Sequence, residues 1–324
     1  MTPTSQGALI NMINYMLSRA CSLSGALLLI SLSTYPQMKS PTRYKDEVFQ
    51  DFSVGKNLSY SPYAKTSAHR FDWYEPIGDT GGSSRPLIIW MHGGGFQLGS
   101  KSMENVKLWC GFFSRLGYVC AAIDYRLGQT NFRFDIDGIV RNCYAAVHDT
   151  RQAIAYFKDN AARLRIDTSR IILAGNSAGG MMALQTAYAS DAEMEKLIGK
   201  PDSARASHAI EPGDVAAVVN FWGGIFDTGW LRNARVPIVS VHGRLDNIVP
   251  YDYRGFPLYG SGAIHRVADA LHIPNRLKTY DEYSHELQLR FNPVISSKLT
   301  RRRWLEAARF AADFLYEELI AGSR

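Results

Sequence analysis

IILAGNSAGG, residues 171–180, decides how this chain is read. An apolar run meets Ser177, which has Gly175 and Gly179 two positions away on either side, and a helix-like stretch, SAGGMMALQTAYAS, follows. Glycines at those positions let a strand and a helix pack closely enough to hold the serine on a sharp, strained turn. The serine Oγ then projects from the strand end, and the helix N-terminus behind it favours developing negative charge. This predicts that Ser177 is a nucleophile. A glycine-rich turn used only for close packing is the plainer alternative, so the surrounding sequence has to decide.

Working outward, apolar runs alternate with amphipathic ones. RPLIIWMHG (85–93) is continuously apolar, as a strand buried on both faces is. SMENVKLWCGFFSRLG (102–117) has helical spacing and ends at a glycine. YVCAAIDYR (118–126) is strand-like, and VRNCYAAVHDTRQAIAYFKDNAARL (140–164) is a long amphipathic helix. VAAVVNFWG (215–223), VPIVSVHG (236–243) and NRLKTYD (275–281) are further strands, with IHRVADALH (264–272) a helix before the last of them. TRRRWLEAARFAADFLYEELI (300–320) closes the chain as an amphipathic helix. This alternation predicts an α/β fold: a mostly parallel central sheet flanked by helices on both faces, in one domain over 66–324. Residues 34–65, rich in Ser, Tyr, Pro and Lys, read as an irregular N-terminal arm.

In an open parallel sheet ligands bind at the carboxyl ends of the strands. Four such ends carry chemistry here. GNSAG (175–179) fits G-x-S-x-G in its strand–turn–helix setting. HGGGF (92–96) leaves consecutive backbone N–H groups free for a substrate oxygen, and the N–H of Ala178 would complete an oxyanion hole with them. A phosphate loop is disfavoured there, since no G-K-[ST] or G-x-G-x-x-G continuation follows. His92 itself reads as shaping the loop rather than transferring protons. In VHGRLDNIVPYD (241–252), Asp246 lies just past a strand, where an acid can hold a histidine in one tautomer. Asp252 and Asp227 are its rivals. In YDEYSHELQL (280–289), His285 is the histidine that follows the last strand; Asp281 and Glu282 read as solvated loop acids, and His242, His265 and His272 as structural.

The order Ser177, Asp246, His285 is the Ser…Asp…His order of α/β-hydrolases. On these four stretches the sequence resembles that superfamily, and within it the HGGG-bearing carboxylesterases close to the hormone-sensitive-lipase and carboxylesterase groups. The resemblance runs from roughly Phe71 to the C-terminus; the elbow departs from it in reading GNSAGG where GDSAGG or GESAGG is commoner. It implies a Ser-His-Asp esterase whose oxyanion hole uses Gly94, Gly95 and Ala178. The expected substrate is a small-molecule or saccharide-linked ester, with short-chain or aryl carboxylic esters first. An amidase or peptidase using the same triad, and a feruloyl or acetyl-sugar esterase, are the alternatives. A binding module that has lost its triad is disfavoured, because nothing of the triad is missing. No cofactor or metal is implied, for the chain has neither H-E-x-x-H nor a cluster with zinc-ligand spacing.

The remaining features bound the setting. The 324 residues are 46% hydrophobic and 20% charged, an ordinary globular composition. The net charge of +6 comes from 36 basic and 30 acidic residues spread along the chain. KLTRRRW (298–304) is the one tight basic cluster, and it reads as a solvated helix end rather than a nucleic-acid footprint. MLSRACSLSGALLLISLS (16–33) has the layout of a secretory signal and is too short and badly flanked for a stable membrane span. Residues 1–33 are therefore expected to be a signal peptide and the protein secreted or periplasmic, with a retained N-terminal helix on a cytoplasmic protein as the alternative. Cys110, Cys120 and Cys143 lie in apolar segments and read as buried free thiols, one disulfide plus one thiol being the other option. Phe96, Phe221, Trp222, Trp230, Tyr251 and Tyr253 near strand ends are candidates for either pocket or core. Only twelve residues, GIFDTGWLRNAR (224–235), separate two late strands, too few for a lipase-like helical cover.

Overall fold

Central strands in this sequence are apolar on both faces because helices cover both. In the computed structural model, which describes residues 40–61, 67–81, 84–129, 136–198, 211–255, 257–292 and 295–322, those strands form one sheet. The strands are β1 (Phe52–Ser59), β2 (Arg70–Pro76), β3 (Arg85–Met91), β4 (Val119–Ile123), β5 (Ile166–Asn176), β6 (Ala217–Phe221), β7 (Gly224–Ile225), β8 (Ile238–Gly243), β9 (Tyr259–Gly260) and β10 (Asn275–Tyr280). Eight of them run in the order β1-β2-β4-β3-β5-β6-β8-β10, while β7 and β9 pair separately. Every pairing from β4 to β10 is parallel; β2 is antiparallel to both β1 and β4. The α/β reading with a mostly parallel sheet therefore holds.

Side chains alternate across β3 as the pleat requires. Leu87, Ile89 and Met91 join one core, with α2 (Ile136–Asp159), α3 (Ala178–Tyr188) and Ile264 and Ala268 of α5 (Ser261–Ala270). Ile88 and Trp90 join the other, with α1 (Glu104–Leu116) and the closing helix α6 (Lys298–Leu315). A shorter helix, α4 (Asp191–Ile198), follows α3. Register then levels the strand ends: Met91 lies opposite Gly175, Gly175 opposite Asn220, and Asn220 opposite Ser240. The loops that follow β3, β5, β6 and β8 consequently leave the sheet along one edge. That edge holds the glycine loop, Ser177 and Asp246.

The arm expected over 34–65 needs correction. Residues 52–59 are a sheet strand, and Pro41–Arg324 forms one compact unit, so the domain begins before residue 66. Ahead of that strand, Tyr44 N–H donates to Leu116 O (2.7 Å) and Phe49 N–H to Arg115 O (3.0 Å), tying the segment to the end of α1. The strand is hard to read because its register shifts between Gly55 and Leu58, with Asn57 at φ 60°, which breaks the period-2 pattern. The expected signal peptide at 1–33 lies outside the described residues, as do 34–39 and 62–65 of the arm. Cys110, Cys120 and Cys143 are free and buried. Among the described residues no helix is long and apolar enough to cross a membrane.

Candidate active site

The serine turn is built by close backbone contact. Strand β5 ends at Asn176, α3 begins at Ala178, and Ser177 between them sits at φ 53°, ψ −120°. A left-handed non-glycine residue costs on the order of 1–3 kcal/mol and persists only where its surroundings over-determine it. Here they do. Ser177 N–H donates to Phe221 O (2.8 Å), and a Cβ on Gly179 would run into the Met91 carbonyl of the neighbouring strand. Small residues are required because helix and sheet touch through backbone. Ser177 is 6% exposed, enough to be reached.

The glycine loop lies against this turn: a Cβ on Gly93 would come within 3.3 Å of the Ser177 Cβ. Gly94 has φ 119°, and any side chain there would strike the Leu98 carbonyl. Gly94 O accepts from Gln97 N–H (3.1 Å) and Leu98 N–H (3.0 Å), closing a tight turn. Among the described residues, no loop or cap hydrogen bond uses the N–H of Gly94, Gly95 or Ala178. His92 holds the loop from beneath. Its ring stacks on Tyr125 (4.3 Å between centroids), its Nδ1 lies 2.7 Å from Gly93 O, and the Tyr125 hydroxyl donates to His92 O (2.8 Å). Burial lowers the His92 pKa, the Gly93 carbonyl opposing it, so the ring is neutral scaffolding.

Asp246 and His285 arrive from two loops laced together. Arg244 N–H donates to Tyr280 O (2.9 Å) and Leu245 N–H to Tyr283 O (3.0 Å). Asp246 Oδ1 accepts from the backbone of Ile248 (2.9 Å) and Val249 (3.0 Å). Its Oδ2 lies 2.7 Å from His285 Nδ1 and 3.3 Å from His242 Nε2. His285 Nε2 lies 2.9 Å from Ser177 Oγ. Burial works to raise the Asp246 carboxyl, but the His285 charge and hydrogen bonds from His242 and His285 outweigh it and hold the acid well below its usual range. An anion is thereby fixed at one ring nitrogen of His285, and the serine hydroxyl at the other. Chemically, this arrangement can move a proton off Ser177 beside a loop of free backbone donors.

A family model described as BD-FAE matches residues 71–228. Liver carboxylesterase 1F of Rattus norvegicus is 28% identical over 148 residues, 46% of this chain and 26% of that protein. Phenmedipham hydrolase of Pseudarthrobacter oxydans is 35% identical over 99 residues, 30% of this chain and 19% of that protein. The chain thus spans about a quarter or less of these two relatives' length. Among solved structures, Thermogutta terrifontis esterase 2 phosphorylated by paraoxon is 23% identical and superposes with a TM-score of 0.58, covering 85% of this chain and 97% of that one. The same esterase bound to butyrate is 21% identical, with a TM-score of 0.57 over 81% of this chain and 93% of that one. The chain has the α/β-hydrolase fold.

Other residues of the chain fall where their surroundings dictate. Asp252 pairs with exposed Arg266 (2.6 Å), and Asp227 caps the short helix Thr228–Asn233 by accepting from Gly229 N–H (2.7 Å), so neither reaches His285. Asp281 pairs with Arg244 at the surface. Phe96, Phe221, Trp222 and Trp230 are buried in the two cores, which settles them as packing residues. Tyr253 stacks on Tyr259 (4.7 Å) and Tyr251 lies under Arg244 (4.7 Å). The short segment after β6 packs into the core through Trp230 and Leu231. Among the described residues no group of three or more His, Cys, Asp or Glu is placed to hold a metal. Two neighbours of the site have roles that the sequence reading misses. His242, expected to be structural, is fully hydrogen-bonded, yet it also touches Asp246. Its signal is the four-residue spacing in HGRLD. Glu286, beside His285, has no signal but its position.

Proposed function

We propose that this hydrolase is a serine carboxylesterase acting on short-chain or aryl carboxylic esters, with Ser177 as nucleophile, His285 as base and Asp246 as its orienting anion. The observation that carries this is the unbroken chain of contacts from Ser177 Oγ to His285 Nε2 (2.9 Å) and from His285 Nδ1 to Asp246 Oδ2 (2.7 Å). His285 takes the hydroxyl proton as Ser177 Oγ attacks the ester carbonyl. The oxyanion accepts from the free N–H groups of Gly94, Gly95 and Ala178, which need no reorganisation because their turns are already closed. The carbon–oxygen bond to the alcohol breaks, His285 returns the proton to the departing oxygen, and water activated by the same histidine cleaves the acyl-enzyme.

Relatives support the class. One is named a carboxylesterase, and the solved esterase 2 takes a phosphoryl group from paraoxon and binds propionate and butyrate. Short acyl groups are favoured because, among the described residues, the segment after β6 buries Trp230 and Leu231 in the core rather than building an apolar cover. A deep acyl tunnel would gain up to ~0.8 kcal/mol per CH₂ and so reward long chains. The test is a p-nitrophenyl ester series from acetate to laurate, run with wild type and Ser177→Ala, beside labelling by paraoxon. Expected are a maximum at acetate to butyrate, loss of turnover in the variant to a residual ~10³–10⁴-fold over water, and one label, on Ser177. Labelling of another serine, or activity rising steadily to laurate, would overturn the assignment of nucleophile or substrate respectively.

A further inference from the structure

Beside Glu286, the residue that follows His285, the fold leaves a cavity of about 160 Å³, lined by Met103, Asn105, Glu286, Gln288, Ile295 and Trp304 among others. At about 30 Å³ per water it has room for some five waters. One wall continues the glycine loop, since a Cβ on Gly99 would lie 3.1 Å from Met103 Sδ. Glu286 and Gln288, from the turn that carries His285, line the cavity too. That turn is held in an uncommon shape, with Glu286 and Leu287 both at φ 56°. Trp304 Nε1 donates to Glu286 O (2.8 Å) and Arg303 Nε to Leu287 O (2.8 Å), so α6 fixes these peptides. Strain of this kind in a non-glycine pair, clamped from outside, aims a side chain.

Most polar groups lining the cavity are already engaged. Gln288 spends its amide on the backbone of Asn292 (2.8 and 3.1 Å), and Glu104 is bound by Arg301 and by Ser296 Oγ. Two are left over. The Glu286 carboxyl has no hydrogen-bond or ion-pair partner among the described residues, and Asn105 uses only its Oδ1, which accepts from Val106 N–H (2.8 Å), leaving its Nδ2 hydrogens uncommitted. We propose that Glu286 and Asn105 form a subsite for the departing alcohol, and that they select an ester whose alcohol carries a second hydroxyl. This rests on the esterase function above, because the alcohol oxygen must lie at His285 to receive its proton, and Glu286 is the next residue.

Complementarity fixes the ligand chemistry. A hydroxyl both donates, to the Glu286 carboxyl, and accepts, from Asn105 Nδ2. An ammonium group has no lone pair for the amide hydrogen, and an anion would face the carboxylate. Burial pushes the Glu286 carboxyl up, His285 opposing and the Asp246 charge adding to it, so this acid suits a neutral partner.

The experiment compares 2-hydroxyethyl acetate with the isosteric propyl acetate. Wild type is expected to favour the hydroxylated ester by roughly 10- to 100-fold in kcat/KM, the range of a hydrogen bond to a charged group. In Glu286→Ala and in Asn105→Ala the ratio should collapse towards one, with Glu286→Gln restoring part of it. If the ratio survives in both alanine variants, or if both esters slow together with the ratio kept, the subsite is overturned and Glu286 merely supports His285. Preference for the trimethylammonioethyl ester, lost in Glu286→Ala, would also overturn it in favour of a cation site. Turnover of p-nitrophenyl acetate without any hydroxyl preference refutes the subsite alone, whereas no turnover of any ester refutes the esterase function itself.

Discussion

Replacing Asp246 by asparagine changes the chemistry of one carboxyl oxygen and almost no volume, which makes it the sharpest perturbation of this site. The introduced amide keeps an oxygen for the backbone N–H groups of Ile248 and Val249, so its nitrogen must face His285 Nδ1, now 2.7 Å from Oδ2. An N–H there demands a lone pair on Nδ1. The ring proton then moves to Nε2, and the nitrogen facing Ser177 can no longer accept the hydroxyl proton. Loss of tautomer control costs about 10⁴ in rate, equivalent to about 5.5 kcal/mol of barrier. A second conflict arises behind it. His242 Nε2 lies 3.1 Å from Val249 O and so carries its proton there, leaving it to meet the new amide hydrogens as donor against donor. The fold should survive, since the neighbouring backbone bonds remain. The acid limb of stability should change as well: the folded carboxyl titrates below its ordinary 3.8, so its stabilisation is present above that pH and lost as pH falls through the depressed value. The asparagine variant lacks this loss. The assay is kcat/KM on p-nitrophenyl acetate beside thermal melts from pH 2 to 8. Asp252→Asn and Asp227→Asn serve as controls, expected within about threefold of wild type because their carboxylates face Arg266 and Gly229 N–H instead. Activity of Asp246→Asn within about tenfold of wild type, or a dead Asp252→Asn or Asp227→Asn variant, would refute the reasoning.

Gly179→Ala would drive a Cβ into the Met91 carbonyl, a backbone atom of a central strand, so destabilisation of at least about 1–3 kcal/mol is expected by urea titration; an unshifted midpoint would mean that helix and sheet are not in contact there. His265 is buried, and burial lowers its pKa from 6.5 to about 4, Asn275 opposing. Between those values the unfolded chain binds the proton and the folded one does not, so this share of stability is complete above pH 6.5 and falls away down to about pH 4. On the order of 3 kcal/mol is involved. His265→Gln should flatten that limb in denaturation curves taken across the window, and an unchanged slope would place the titration elsewhere. For the leader, we propose cleavage near Ser31 to Thr34 in the native host, read by sequencing the mature N-terminus; an intact leader on a cytoplasmic protein would refute export.

What is legible in the sequence is what several constraints write at once. Ser177 can be found because its turn must be flanked by glycines, preceded by an apolar strand and followed by a helix, and each requirement leaves its own mark. Asp246 and His285 each follow a strand, and the parallel registers put those strand ends on one edge. The strand at 52–59 leaves a weaker trace. An edge strand needs only one apolar stripe, and a bulge at 56–57 shifts even that out of phase, so composition alone makes the segment look irregular. The aromatics near strand ends are ambiguous for a different reason. A tryptophan beside a site and one beneath it share the same sequence pattern, and only the stack of Trp90 on Trp109 (4.9 Å), with Phe221 and Trp222 against Trp109, decides for the core. Glu286 shows where such reading stops. A glutamate in a polar loop is expected to be solvated, and nothing in YSHELQL says that Trp304 and Arg303, a helix away in sequence, clamp its peptides. Chemistry that follows from local chain geometry can be read residue by residue; a side chain left without a partner is defined by everything around it, and so becomes visible only once the chain has folded.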